Sequence, residues 1–242
     1  MVGSYDRGLL REQAAAIGVI LDEAALDRFE VVAGIMLEWN EKINLTAITD
    51  SKEIAVKHFA DSLSIVPLLP DGEFSMIDVG TGAGYPGIPV AIARPDVNLT
   101  LLDSLNKRIV YLQELCRRLQ IPANLVHGRA EVAAHNGELR EGYDVATARA
   151  VANLPVLCEY CIPYVKLGGK FIAMKGPDVD EESKIIPKVA KLLGAEFREV
   201  QPIQLKLEEE AIERRLVVFD KISSTPEKYP RNTAKIKKEP LK

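Results

Sequence analysis

One ten-residue stretch limits the fold more than any other. The apolar run "SMIDVG" leads into "DVGTGAGYPG", residues 78–87, and Pro86–Ala93 continues as a helical pattern that stops before Pro95. A strand that turns through clustered glycines straight into a helix opens a nucleotide-binding α/β unit. Glycine is needed there because the backbone must turn sharply or be approached closely by a ligand.

The pattern then repeats. "NLTLLD" reads as a strand, "SLNKRIVYLQELCRRLQ" as an amphipathic helix with a basic outer face, and "ANLVHG", "YDVATARA" and "GKFIAMKG" as further strands. A helix is predicted over Lys184–Leu193 and a late strand at "ERRLVVFDK". Strands alternating with helices predict a parallel, doubly wound sheet. Upstream, residues 1–70 read as a helical extension. "DEAALDRFEVVAGIMLEWNEKI" places Leu26, Phe29, Val32 or Ala33 and Met36 on one face, with Asp22 as N-cap. A second helix starting at Asp50 or Ser51 carries His58 and Asp61. Pro67, Pro70 and Asp71-Gly72 mark the boundary to a domain over 71–222, and 223–242 form a basic tail.

The chain has 242 residues, 47% hydrophobic and 27% charged, enough for a real core. No apolar run approaches a membrane span, and no secretion signal is read at the N-terminus, so the expected location is the cytoplasm. Cys116, Cys158 and Cys161 cannot all pair, and the spacing of the last two is read as packed thiols on a helix face. His127 and His135 have no partners at ligand spacing, so no metal site is expected. Net charge is −4. Seven Lys and Arg against two Glu give 221–242 a charge of +5, and −4 less 5 leaves −9 on residues 1–220. A basic tail on an acidic body can reach RNA phosphates; a solvated, disordered terminus is the plainer reading.

The glycines fit two registers. Gly82, Gly84 and Gly87 match the G-x-G-x-x-G of a dinucleotide site, whereas Asp78, Gly80, Gly82 and Gly84 match the acid-x-G-x-G-x-G of a site for S-adenosylmethionine. Asp78 is a poor neighbour for a pyrophosphate and a good one for an amino-acid ammonium. Asp103, at the end of the second strand, can accept from both ribose hydroxyls. "GRAEV" after the third strand places Ala130 and Glu131 where an adenine edge is read. Lys107 and Arg108 keep the dinucleotide alternative open, and a non-catalytic RNA-binding relic is a third.

"NLTAITD", "KHFADSL", "IDVGTGAGYPGIPVAI", "TLLDSLNKR", "ARAVANL", "MKG" and "ERRLVVF", in that order over about residues 25–222, resemble the RsmG (GidB) family of small-subunit ribosomal RNA methyltransferases. The resemblance implies a class I S-adenosylmethionine-dependent methyltransferase fold, a Rossmann-like doubly wound sheet with an N-terminal helical extension. It implies methyl transfer to N7 of one guanine in 16S rRNA near the decoding site, with rRNA or the small subunit as partner and no obligate protein partner. Cofactor positions fall on Gly80, Tyr85, Ala130, Glu131 and Arg149, joined by Asp78, Gly82, Gly84 and Asp103. Tyr85 is expected to pack on the cofactor.

Guanine N7 has an in-plane lone pair and no proton to lose, so no catalytic acid or base is assigned. Arg149 is expected to bind guanine or the cofactor carboxylate. Lys175 is a phosphate contact, or a base for a ribose methylase. Asn44 and Arg214 complete the expected substrate contacts, although a structural salt bridge fits Arg214 equally well. Thr46, His58 and Asp61 are expected beside the cleft, His58 as a hydrogen-bonded structural histidine.

Overall fold

A computed structural model describes residues 4–149, 152–179 and 185–242. Ala150 and Val151 of "ARAVANL", and Lys184 at the predicted helix start, lie outside them.

A seven-stranded sheet with order β3-β2-β1-β4-β5-β7-β6 organises the chain. The strands are β1 Phe74–Val79, β2 Val97–Asp103, β3 Ala123–His127, β4 Tyr143–Arg149, β5 Val165–Lys175, β6 Ala195–Leu207 and β7 Glu210–Lys221. The first five pair in parallel, as the alternating pattern requires. The sheet is not parallel throughout: β7 runs antiparallel to both β5 and β6. β6 was not anticipated. Its charges and Pro202 obscure the period-two pattern, and as an edge strand it has little to bury.

Side chains of successive residues point to opposite faces, which builds two cores. Met76, Leu99, Leu101, Val145, Ile172 and Leu216 face one core; Ile77, Leu102, Ala146, Phe171, Val217 and Phe219 face the other. The first core also takes the helices of residues 4–70. Helix Glu23–Ile43 is capped by the Asp22 side chain on Ala25 N at 2.7 Å and ends at Asn44 in the left-handed region. It brings Phe29 against Phe59, ring centroids 4.8 Å apart. Asp50 caps the next helical run, over 51–63, whose middle, Ile54–Ala60, is π-helical. The second core is covered by helices Leu154–Cys161 and Ile186–Leu192 and by the C-terminal segment. All three cysteines are buried thiols. His127 and His135 bond the carbonyls of Ser104 and Pro230. Among the described residues, no helix is long and apolar enough to cross a membrane, and no His/Cys/Asp/Glu group could hold a metal.

Candidate functional site

The glycine loop is held by two carboxylates. Gly80, Gly82 and Gly84 have φ of 74°, 60° and 91°, the left-handed region that disfavours a side chain. Asp78, at the end of β1, is fully buried, and its Oδ2 accepts from Thr81 Oγ1 at 2.7 Å and Gly87 N at 2.9 Å. Burial pushes its carboxyl up to about 6 against the pull of those hydrogen bonds. Asp103, at the end of β2, accepts from Gly82 N at 2.9 Å, Leu105 N at 2.8 Å and Arg108 Nη1 at 3.3 Å. Gly87 serves packing: a Cβ there would lie 2.5 Å from Leu101 and 3.0 Å from the Asp78 carboxylate.

Beside the loop, at the C-terminal ends of β1, β2 and β3, is a cavity of about 520 Å³. Of the residues expected at the cofactor, Gly80, Asp103, Ala130 and Glu131 line it, together with Tyr160 and Arg129. Asp78, Gly82, Gly84, Tyr85 and Arg149 do not. Asp78 is sealed beneath the loop, where its bonds to Thr81 and Gly87 hold the turn.

A second cavity, of about 360 Å³, lies where the N-terminal helices meet β4, β5 and β7, and Lys57, Asp61, Arg149, Lys175 and Arg214 line it. Its centre is Asp61, 2% exposed. Arg149 Nη1 reaches one carboxylate oxygen at 2.9 Å and Arg214 Nε the other at 3.0 Å. Arg214 therefore forms a salt bridge at the cavity wall, one of the two roles open to it in the sequence. Arg149 also donates to the carbonyl of Lys57 at 3.2 Å, which ties β4 to the π-helical turn. Lys175 Nζ donates to the carbonyl of Ala152 at 3.1 Å. Asn44 is exposed and lines neither cavity.

Tyr85 is buried between these parts. Its ring stacks on His58 at 4.8 Å and the Arg149 guanidinium lies 5.1 Å over it. Tyr85 does not line the first cavity, and it joins the glycine loop to the N-terminal helices through His58 and Phe59. His58 is held by Thr46 Oγ1 on Nε2 at 2.9 Å. Burial, and then the Arg149 charge, pull its imidazole down to about 3, so it is neutral at physiological pH. Among the described residues, three buried atoms in this region find no hydrogen-bond partner: Asp78 Oδ1, Tyr85 Oη and His58 Nδ1.

The family model for rRNA small subunit methyltransferase G (GidB) matches residues 26–213. The chain belongs to this family. It is similar to ribosomal RNA small subunit methyltransferase G of Acetivibrio thermocellus, 47% identical over 97% of this chain and 96% of that protein. The corresponding protein of Alkaliphilus oremlandii is 45% identical over 98% of this chain and 99% of its own length. Among solved structures, a SAM-dependent methyltransferase from Methanosarcina mazei aligns with TM-score 0.51 at 13% identity, covering 65% of this chain and 97% of that one. M. jannaschii TYW2 in complex with AdoMet aligns with TM-score 0.50 at 13% identity, covering 64% and 72%. At that identity the likeness is one of fold: the chain has the class I methyltransferase architecture.

The family match stops before the C-terminal segment, and there the structure departs from a solvated tail. Tyr229, Ile236 and Leu241 are buried in the second core. Lys221, 3% exposed, pairs with Glu141 at 3.0 Å. Arg231 donates to the fully buried Glu159 from Nε at 2.8 Å and Nη2 at 2.7 Å. The reading of a disordered terminus is thus corrected, since these residues anchor the segment. Lys235, Lys237, Lys238 and Lys242 stay exposed. Helix Thr233–Lys238 brings Thr233 and Lys237 into the wall of the first cavity. Nothing local in "RNTAKIKK" signals that role; the contact spans about a hundred residues. Lys57 was missed for the same reason.

Proposed function

We propose that this chain transfers the methyl group of S-adenosylmethionine to N7 of one guanine of 16S rRNA, near the decoding site. Beyond family membership, one observation carries the reading. Although residues 1–220 bear a net −9, Lys57, Arg149, Lys175 and Arg214 share the wall of the second cavity, where Asp61 pairs with both arginines and Glu53 with Lys57. Such a wall suits a phosphodiester and the guanine O6, which accept from Arg and Lys. The reading carries with it a cytoplasmic location, where ribosomal subunits are assembled in bacteria.

The first cavity fits the cofactor. Asp103 offers an ionisable acceptor to ribose hydroxyls, and Ala130 and Glu131 offer backbone and carboxylate to an adenine edge. Bound there, S-adenosylmethionine supplies an electrophilic methyl group on a sulfonium. The residues around it bind and orient.

N7 needs no deprotonation, and the ionisable groups fit that demand. His58 is neutral with Nε2 on Thr46, Asp61 is spanned by two arginines, and Asp78 is closed off by the loop. Lys175 and Arg214 stand at the cavity wall, within reach of a nucleotide there.

The test uses 16S rRNA and small subunits lacking the modification, incubated with the protein and S-adenosylmethionine. Borohydride and aniline then cut the RNA at 7-methylguanosine. A new cut at one guanine is the expected result. Absence of any cut, with S-adenosylhomocysteine binding intact, would refute the activity. Binding of NADPH in place of S-adenosylhomocysteine would restore the dinucleotide register.

A further inference from the structure

The C-terminal helix lies beyond residues 26–213, which the family model matches, yet it forms part of the wall of the first cavity. Thr233 Oγ1 donates to Glu131 Oε1 across that cavity's wall, and Lys237 lies one helical turn further along the same wall. Glu131 is 7% exposed and stands on the short helix Ala130–Ala133. A glutamate side chain has three rotatable bonds, so a partner is needed to hold its carboxylate in one orientation.

The donor itself is anchored. Asn232 caps the helix, its Oδ1 accepting from Lys235 N at 2.9 Å. Ile236, one turn on, is fully buried in the second core. Arg231 locks to Glu159, the neighbour of Tyr160, which lines the same cavity. Upstream, Arg140 donates to the carbonyls of Thr225 at 2.8 Å and Tyr229 at 3.0 Å, and His135 meets that of Pro230 at 2.9 Å. The path from 225 to 236 is thereby tied to the body, and Thr233 arrives at Glu131 from a fixed frame.

We infer that Thr233 is a positioning residue for cofactor binding: it sets the Glu131 carboxylate, and the helix it begins closes the Ala130–Glu131 end of the cavity. This rests on the first cavity being the S-adenosylmethionine site. Binding and docking of the segment are then linked, so each strengthens the other by the same factor. The segment serves the cofactor through Thr233 and Lys237, while its remaining lysines face solvent.

The probe is S-adenosylhomocysteine, titrated calorimetrically into the full-length protein. Thr233→Val keeps the side-chain shape and removes the donor; affinity is expected to fall about tenfold, as for a lost hydrogen bond to a charged group. Thr233→Ser should return it to within about twofold. For Thr233→Val, the KM for S-adenosylmethionine should rise by about the same factor as the affinity falls. On the wild-type protein, S-adenosylhomocysteine should slow hydrogen exchange of the amides over 231–238 by about tenfold or more, a readout that needs no variant. Equal or tighter binding by Thr233→Val, or unchanged exchange in that helix, overturns the inference. Failure of the wild-type protein to bind S-adenosylhomocysteine overturns the assignment of the cavity instead.

Discussion

Replacing Arg231 by Met tests how the C-terminal segment is held. Glu159 is fully buried and receives three hydrogen bonds from Arg231: backbone N at 2.8 Å, Nε at 2.8 Å and Nη2 at 2.7 Å. Arg231→Met leaves only the backbone bond and strands the carboxylate inside the second core. Stranding one member of a buried pair costs about 3–5 kcal/mol. The backbone bond survives, so the lower end, about 3 kcal/mol, applies here. At this chain length each kcal/mol shifts Tm by roughly 2–4 °C, which gives a fall of roughly 6–12 °C. Adding Glu159→Leu removes the stranded charge at similar volume and should recover most of the loss, because a hydrophobic replacement of a buried pair is often neutral. Urea unfolding of the wild type, both single variants and the double variant closes the cycle. A single-variant loss under about 1 kcal/mol, or a double variant no better than the single, would mean that Glu159 and Arg231 are not coupled and that apolar contacts alone hold the segment.

Other expectations address the loop and the site. Gly87→Ala should destabilise by about 1–3 kcal/mol through overpacking against Leu101 and Asp78, measured by urea midpoint; a neutral effect would show that helix Gly87–Ala93 can shift. Asp103→Ala should weaken S-adenosylhomocysteine binding by about 1–3 kcal/mol, and unchanged affinity would remove Asp103 from the site. His58 titrates near 3 in the folded protein against an ordinary 6.5, so the unfolded chain takes the proton first and stability falls as pH drops below about 6.5. Asp78 has the opposite sign: raised from 3.8 to about 6, it favours the folded state as pH drops through that window. Relative to wild type, His58→Gln should therefore gain about 2 kcal/mol between pH 7 and pH 5, from ~1.5 pH units at ~1.4 kcal/mol each. Parallel stability curves for the two proteins would contradict the buried, neutral imidazole.

Local chemistry is what the sequence conveys well. Asp22 caps its helix because a short acceptor side chain sits just before an apolar period. Gly80, Gly82 and Gly84 announce a turn because only glycine takes three left-handed positions so close together without strain. Asp103 is legible because it ends a strand beside that turn. The strands from β1 to β5 follow from their apolar runs, and their parallel order from the helices between them. What the sequence hides is whatever depends on partners far along the chain. The antiparallel β7 and the edge strand β6 follow from a hairpin whose register closes only in the sheet. Asp61 gains its meaning from Arg149 and Arg214, 88 and 153 residues away. The stacking of Tyr85 on His58 likewise joins residues far apart in the chain, and no local pattern announces it.

The division between sequence and structure is clearest at the two ends of the site. The residues near the loop indicate the α/β fold by themselves, because each is a backbone or charge requirement met within a few residues; the family enters through the resemblance of motifs spread over about residues 25–222. The charge count of 221–242 suggests a solvated tail, because charge is additive along a chain and burial is not. Only the tertiary structure decides that Arg231 is neutralised by Glu159 inside a core, and that Thr233 stands against Glu131 at the cavity. Such pairs are stable where folding brings both partners out of water together, and no local pattern encodes that coincidence.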